Sequence, residues 1–132
     1  MSSETSTAPT TSKAMLWIGR IVTALPVLML TMSAVMKLTK AAPLVEGFKK
    51  FGYAESLAVP IGIVEVICTV LYLIPQTAVL GAILLTGYLG GATATHVRVE
   101  DNFAGPIIAG VLVWLGLFLR DARIRALIPF RR

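Results

Sequence analysis

Ile61-Gly62-Ile63-Val64-Glu65-Val66-Ile67-Cys68 sets a single carboxylate in the middle of a run of apolar side chains. The run extends from about Leu57 to Ile74, and eighteen or so apolar residues with a single charge are long enough to cross a bilayer as a helix. An ionisable group at that depth is a functional-site candidate by default. The rest of the chain bears out the membrane as solvent: 56% of its 132 residues are hydrophobic and the mean hydropathy is +0.81, well above the norm for soluble domains.

Working outward, three further apolar runs flank this one, over about Met15 to Leu38, Ala78 to His96 and Phe103 to Leu119. Their lengths and short polar gaps predict an all-α transmembrane four-helix bundle. Pro26 is expected to kink the first span. Pro75-Gln76-Thr77 leaves room only for a tight reversal, so the second and third spans are antiparallel neighbours. Between the first two spans, Leu44, Phe48 and Phe51 recur at helical spacing with charges opposite them. That pattern predicts a short interfacial helix between helices 1 and 2, with Ser56 placed to cap the helix that follows.

Three segments result: a Ser/Thr/Pro-rich tail over 1–14, expected to be disordered, a transmembrane domain over 15–119, and a basic interfacial tail over 120–132. The first span lacks the cleavage site of a signal peptide and is read as retained. The formal charge of +5 comes from basic residues at the ends of apolar runs, which points to lipid headgroups and away from nucleic acid. With four spans, seven Lys and Arg stand on the side of the termini against five opposite, so the positive-inside rule predicts cytoplasmic termini. Cys68 is the one cysteine; it has no intramolecular partner and reads as a small buried side chain.

The remaining polar groups fall into a pattern. Gly62, Glu65, Thr69 and Tyr72 share one helical face, and Gly87 and Gly91 form a small-residue pair expected to bring the third span close to that face. At about 1.5 Å per residue, Tyr88 lies level with Glu65 and is the expected direct partner. His96 and Lys37 lie roughly 13 to 16 Å from the midplane by the same rise, so they reach Glu65 only through water or side-chain length. The expected site is a pocket between helices walled by Glu65, Tyr88, His96 and Lys37, with Phe48, Tyr53 and Arg98 at its mouth. One His and no Cys pair supply no haem or cluster ligand set, and Met29, Met32 and Met36 at helical spacing read as packing, so no metal site is assigned.

Gly62-Ile63-Val64-Glu65, Gly81 and Gly90-Gly91-Ala92-Thr93-Ala94-Thr95-His96-Val97-Arg98, with a Lys closing the first span, resemble the small DoxX-like membrane proteins over roughly Leu16 to Leu119. The resemblance implies a bundle in the bacterial cytoplasmic membrane, in some relatives as a subunit beside thiosulfate or quinol oxidoreductases. With no intrinsic cofactor in the sequence, the expectation is an accessory subunit, not a stand-alone enzyme. It binds a quinone or other small apolar ligand, has Glu65 and His96 handling protons, and stands beside a membrane redox enzyme or a second copy of itself. The alternative is a non-catalytic assembly or scaffold protein in which Glu65 is a structural contact between helices.

Overall fold

The computed structural model describes residues 10–131, and the expected disorder over 1–9 lies outside those residues. Six helices follow one another: α1 (Lys13–Thr39), α2 (Ala42–Phe51), α3 (Ala58–Leu73), α4 (Ala78–Arg98), α5 (Ala104–Arg120) and α6 (Ala122–Arg125). No strand occurs among the described residues. The bundle is a ring of four, with α1 and α4 each packed against both α3 and α5. Helices α1, α3 and α4 are long and apolar enough to cross a membrane. Helix α5, with 17 residues, stands at the lower end of the spanning range.

Local chemistry sets the boundaries. The Ser12 hydroxyl accepts from the Met15 N–H at 3.2 Å and caps α1, so order begins before the expected residue 15. Pro26 is buried within α1, which runs on without a break. Helix α1 ends at Lys40 and α2 at Gly52, both in the left-handed region with φ of 51° and 81°; Gly52 takes that conformation without steric penalty. Ser56 does not cap α3. It lies in a 3₁₀ turn, Glu55–Leu57, and the residue before α3 makes no side-chain cap bond.

Close packing is concentrated at one end. A Cβ on Gly81 would collide with the backbone of Tyr72, and one on Gly116 with Thr23, so the start of α4 lies directly on the end of α3, and α5 on α1. Between them Tyr72 is fully buried and donates to the Val113 carbonyl at 2.6 Å. The expectation that Gly87 and Gly91 bring backbones together is not met: a Cβ on either would meet nothing within 4 Å. The tight turn Pro75–Thr77 pins α3 to α4 at one end, while Gly87 is exposed on α4 and Gly91 borders open space between the helices. Gly62 does mark a close approach, but to Lys37 and Leu38 of α1.

The basic tail folds back onto the closed end. Arg125 donates to the carbonyls of Phe118 and Leu119 at 2.8 and 3.0 Å, satisfying the open C-terminus of α5. It also donates to the Thr10 carbonyl at 2.9 Å, which brings both ends of the described chain to one side of the bundle.

Candidate functional site

The end of the α3–α4 pair remote from the Pro75–Thr77 turn contains a cavity of about 570 Å³. Lys37 of α1, Ile61 and Val64 of α3, and Tyr88, Gly91 and His96 of α4 contribute to its wall, and α2 covers it. Helix α2 takes that position because it is two-sided: Phe48 is buried beneath it while Lys49 and Lys50 are exposed. Its last turn is fastened to the end of α4 by polar contacts. The Arg98 guanidinium donates to the Phe51 carbonyl, the Tyr53 and Thr95 hydroxyls are 2.7 Å apart, and Lys50 pairs with Asp101 at 3.3 Å. The Phe51 and His96 rings lie 4.9 Å apart.

Glu65 is 1% exposed and pairs with Lys37, Nζ to Oε1, at 3.1 Å. Ser33 completes the set: its hydroxyl donates to the same Glu65 oxygen at 3.2 Å and accepts from the Lys37 ammonium at 2.5 Å. A buried charge is tolerable in this setting only when paired and hydrogen-bonded, and α1 supplies both partners. Lys37 spans the depth between its backbone and Glu65 by folding its four-carbon stem inward.

This arrangement corrects two expectations. The hydrogen bonds to the Glu65 carboxylate come from α1, with Tyr88 of α4 beside it, and Glu65 does not line the cavity, whereas Lys37 does. Tyr88 is close enough to Glu65 and Ser33 to interact with both, and its ring centroid is 5.9 Å from the Lys37 ammonium, yet no hydrogen bond of normal geometry joins Tyr88 to Glu65. Lys37 and Tyr88 therefore form the deep polar corner, and His96, Thr95 and Tyr53 the shallow one. Phe48 and Tyr53 line the cavity. Arg98 holds α2 and lies 5.5 Å above the Tyr53 ring.

The His96 Nδ1 is 2.7 Å from the Ala92 carbonyl. A carbonyl only accepts, so Nδ1 is the donor and Nε2 is the free ring nitrogen. Outside the spans, the Asn102 backbone N–H at 2.9 Å and the Lys50 ammonium hold the Asp101 carboxyl below its usual range.

Ser33 has no place in the sequence-based site. It stands one helical turn before Lys37, and that i, i+4 relation is the signal that would have found it. Met29 and Met32 are exposed on the outer face of α1, as lipid-facing packing residues are. Among the described residues, no three His, Cys, Asp or Glu side chains gather as a metal-ligand group.

An α-helical bundle with spanning helices and a polar pair at mid-depth defines the class: an integral membrane protein. The DoxX-like family is matched over residues 21–118, and the chain belongs to that family of membrane proteins. Neither curated proteins nor solved structures give a match.

Proposed function

We propose that the protein is a ligand-binding membrane subunit of the DoxX-like type, whose cavity takes the head of a quinone or a similar carbonyl-bearing apolar ring. The observation that carries this is the Lys37–Ser33–Glu65 set at the inner end of a cavity with apolar walls. An ammonium has three donors; Ser33 and Glu65 take two, and the third is free for a ligand oxygen. Sites of this kind combine apolar walls with a few convergent polar groups.

Quinone reduction takes up two protons, one at each oxygen. Lys37 at the deep corner and the free His96 Nε2 at the shallow one flank a ring placed between them. His96 is the exchange point with water, being in the last turn of α4 beside the polar loop 99–102, and its imidazole can take up a proton at Nε2 and pass it on. Glu65 is a positioning group that holds Lys37. No residue of the chain stores electrons, so electron transfer falls to a partner redox enzyme. The excess of Lys and Arg beside the termini favours a cytoplasmic side for them, with the cavity toward the opposite face, and the family resemblance suggests a bacterial cytoplasmic membrane.

A second reading, assembly without chemistry, has its own support: Gly87 and Gly90 lie exposed on the outside of α4 with nothing against them, a surface suited to another helix. Titration of the protein in phosphatidylcholine nanodiscs with decylubiquinone distinguishes the two. Saturable binding that is lost in Lys37→Met and weakened in His96→Ala supports the ligand site. No binding to the wild type, together with a stoichiometric membrane partner on purification, supports assembly.

A further inference from the structure

The cavity opens sideways. Val64 of α3, 51% exposed, and Gly91 of α4, also exposed, both form part of its wall, so the space is open in the gap between these two helices. Acyl chains of the bilayer therefore have direct access. A lone ammonium at the inner end of such a space would draw in whatever anionic amphiphile the membrane contains, a fatty acid first of all.

We infer that Glu65 is the residue that sets the charge selectivity of this cavity, excluding anionic amphiphiles and admitting neutral ones with a hydrogen-bond acceptor. The inference rests on the cavity being a ligand site. Glu65 is placed for it: 1% exposed, outside the cavity wall, and 3.1 Å from the one ammonium that faces the ligand space. As ammonium and carboxylate, Lys37 and Glu65 carry no net charge together, while the ammonium still presents a donor. An incoming anion would meet the attraction of Lys37 and, one group further in, the repulsion of Glu65, with little water to screen either. It would also lose its hydration without a net counter-charge to replace it.

The surroundings add no net charge of their own. At this end of the bundle the basic residues Lys37, Lys40, Lys49, Lys50 and Arg98 are matched by Glu46, Glu55, Glu65, Glu100 and Asp101. Removing the Glu65 charge alone leaves an unbalanced cation at the head of an apolar space, which is the chemistry of a fatty-acid site.

The test uses two probes with one tail and nearly one shape. Tetradecyl methyl sulfone is neutral, and tetradecane-1-sulfonate is ionised at every working pH. Binding of each to the full chain in phosphatidylcholine nanodiscs is measured for the wild type and for Glu65→Gln. The wild type is expected to bind the sulfone at least about tenfold more tightly than the sulfonate, and Glu65→Gln to reverse that order. Equal binding of both probes by the wild type overturns the selectivity inference and leaves the ligand site standing; binding of neither overturns the ligand site itself. A wild-type ratio near one overturns the inference even if the variant fails to fold. If Glu65→Gln folds and keeps the wild-type preference, Glu65 is not its source.

Discussion

The two ends of the bundle are built on opposite plans. At the end carrying the termini, Gly81 and Gly116 bring backbones into contact, Tyr72 is fully buried, and the Arg120 guanidinium lies 5.4 Å from the Tyr72 ring centroid. Six described basic residues gather there, Lys13, Arg20, Arg120, Arg123, Arg125 and Arg131, against one acid, Asp121. At the other end the charges balance, the glycines of α4 touch nothing, and the space between α3 and α4 is a cavity under α2. The closed end holds the helices together; the open end is thereby free to keep an empty volume and a polar pair within it.

The largest expected effect comes from adding one methyl group at each end. Gly81→Ala drives a Cβ into the Tyr72 backbone, where neither helix can yield without separating. We expect a loss of about 4 kcal/mol or more, seen as failure to recover folded protein from detergent. Gly91→Ala, beside the cavity, meets open space and is expected to raise stability by up to about 1 kcal/mol through helix propensity alone. Equal tolerance of the two changes would remove the distinction between a closed and an open end.

Next in size is the buried pair. Lys37→Met leaves Glu65 buried with only Ser33 for a partner and is expected to lower thermal stability by about 3 kcal/mol. That is the low end for breaking a buried pair, since Lys37 keeps 12% exposure. The double change Lys37→Met with Glu65→Leu removes both charges and should recover most of the loss. Recovery of stability without recovery of decylubiquinone binding would separate the structural role of the pair from the ligand-facing role of Lys37. A double variant as unstable as the single one would show that the two groups do not act as a pair.

Much of this division was hidden in the sequence, and the reason is geometric. Apolar run lengths located all four spans and the interfacial helix to within about two residues, because a bilayer imposes length directly. Glycine spacing did not tell which glycines touch. Gly81 and Gly91 look alike in a list of small residues, and only the tight turn at Pro75–Thr77 places one where α3 and α4 touch and the other beside the cavity. Backbone depth alone likewise kept Lys37 apart from Glu65, since it takes no account of a flexible side chain reaching inward, and so Tyr88 was favoured in its place. His96 and Tyr53 were expected at the cavity, and both line it.

The smallest expected effect concerns the fastening of α2, where the two ends of the molecule again differ. Asp121, at the closed end, is held below the usual carboxylate range first by its hydrogen bond from Arg123, a local contact within one short turn. Asp101, at the open end, owes its lowered value first to the Asn102 backbone and then to Lys50 of α2, so part of its titration is linked to α2 staying in place. A carboxyl whose folded value is depressed stabilises the fold above its unfolded value and loses that contribution as pH falls through the folded one. Acidification into that range should therefore loosen α2 while leaving the turn at Asp121 no less local than before. The contact is solvent-exposed and screened by salt, so the change is small. Hydrogen-exchange protection at Phe48 to Tyr53, corrected for intrinsic rates, should fall on acidification, and Asp101→Asn at neutral pH should reproduce the Lys50-dependent part of the fall. A drop at low pH that Asp101→Asn does not reproduce would assign the fastening of α2 to Arg98 and the Tyr53–Thr95 hydrogen bond instead.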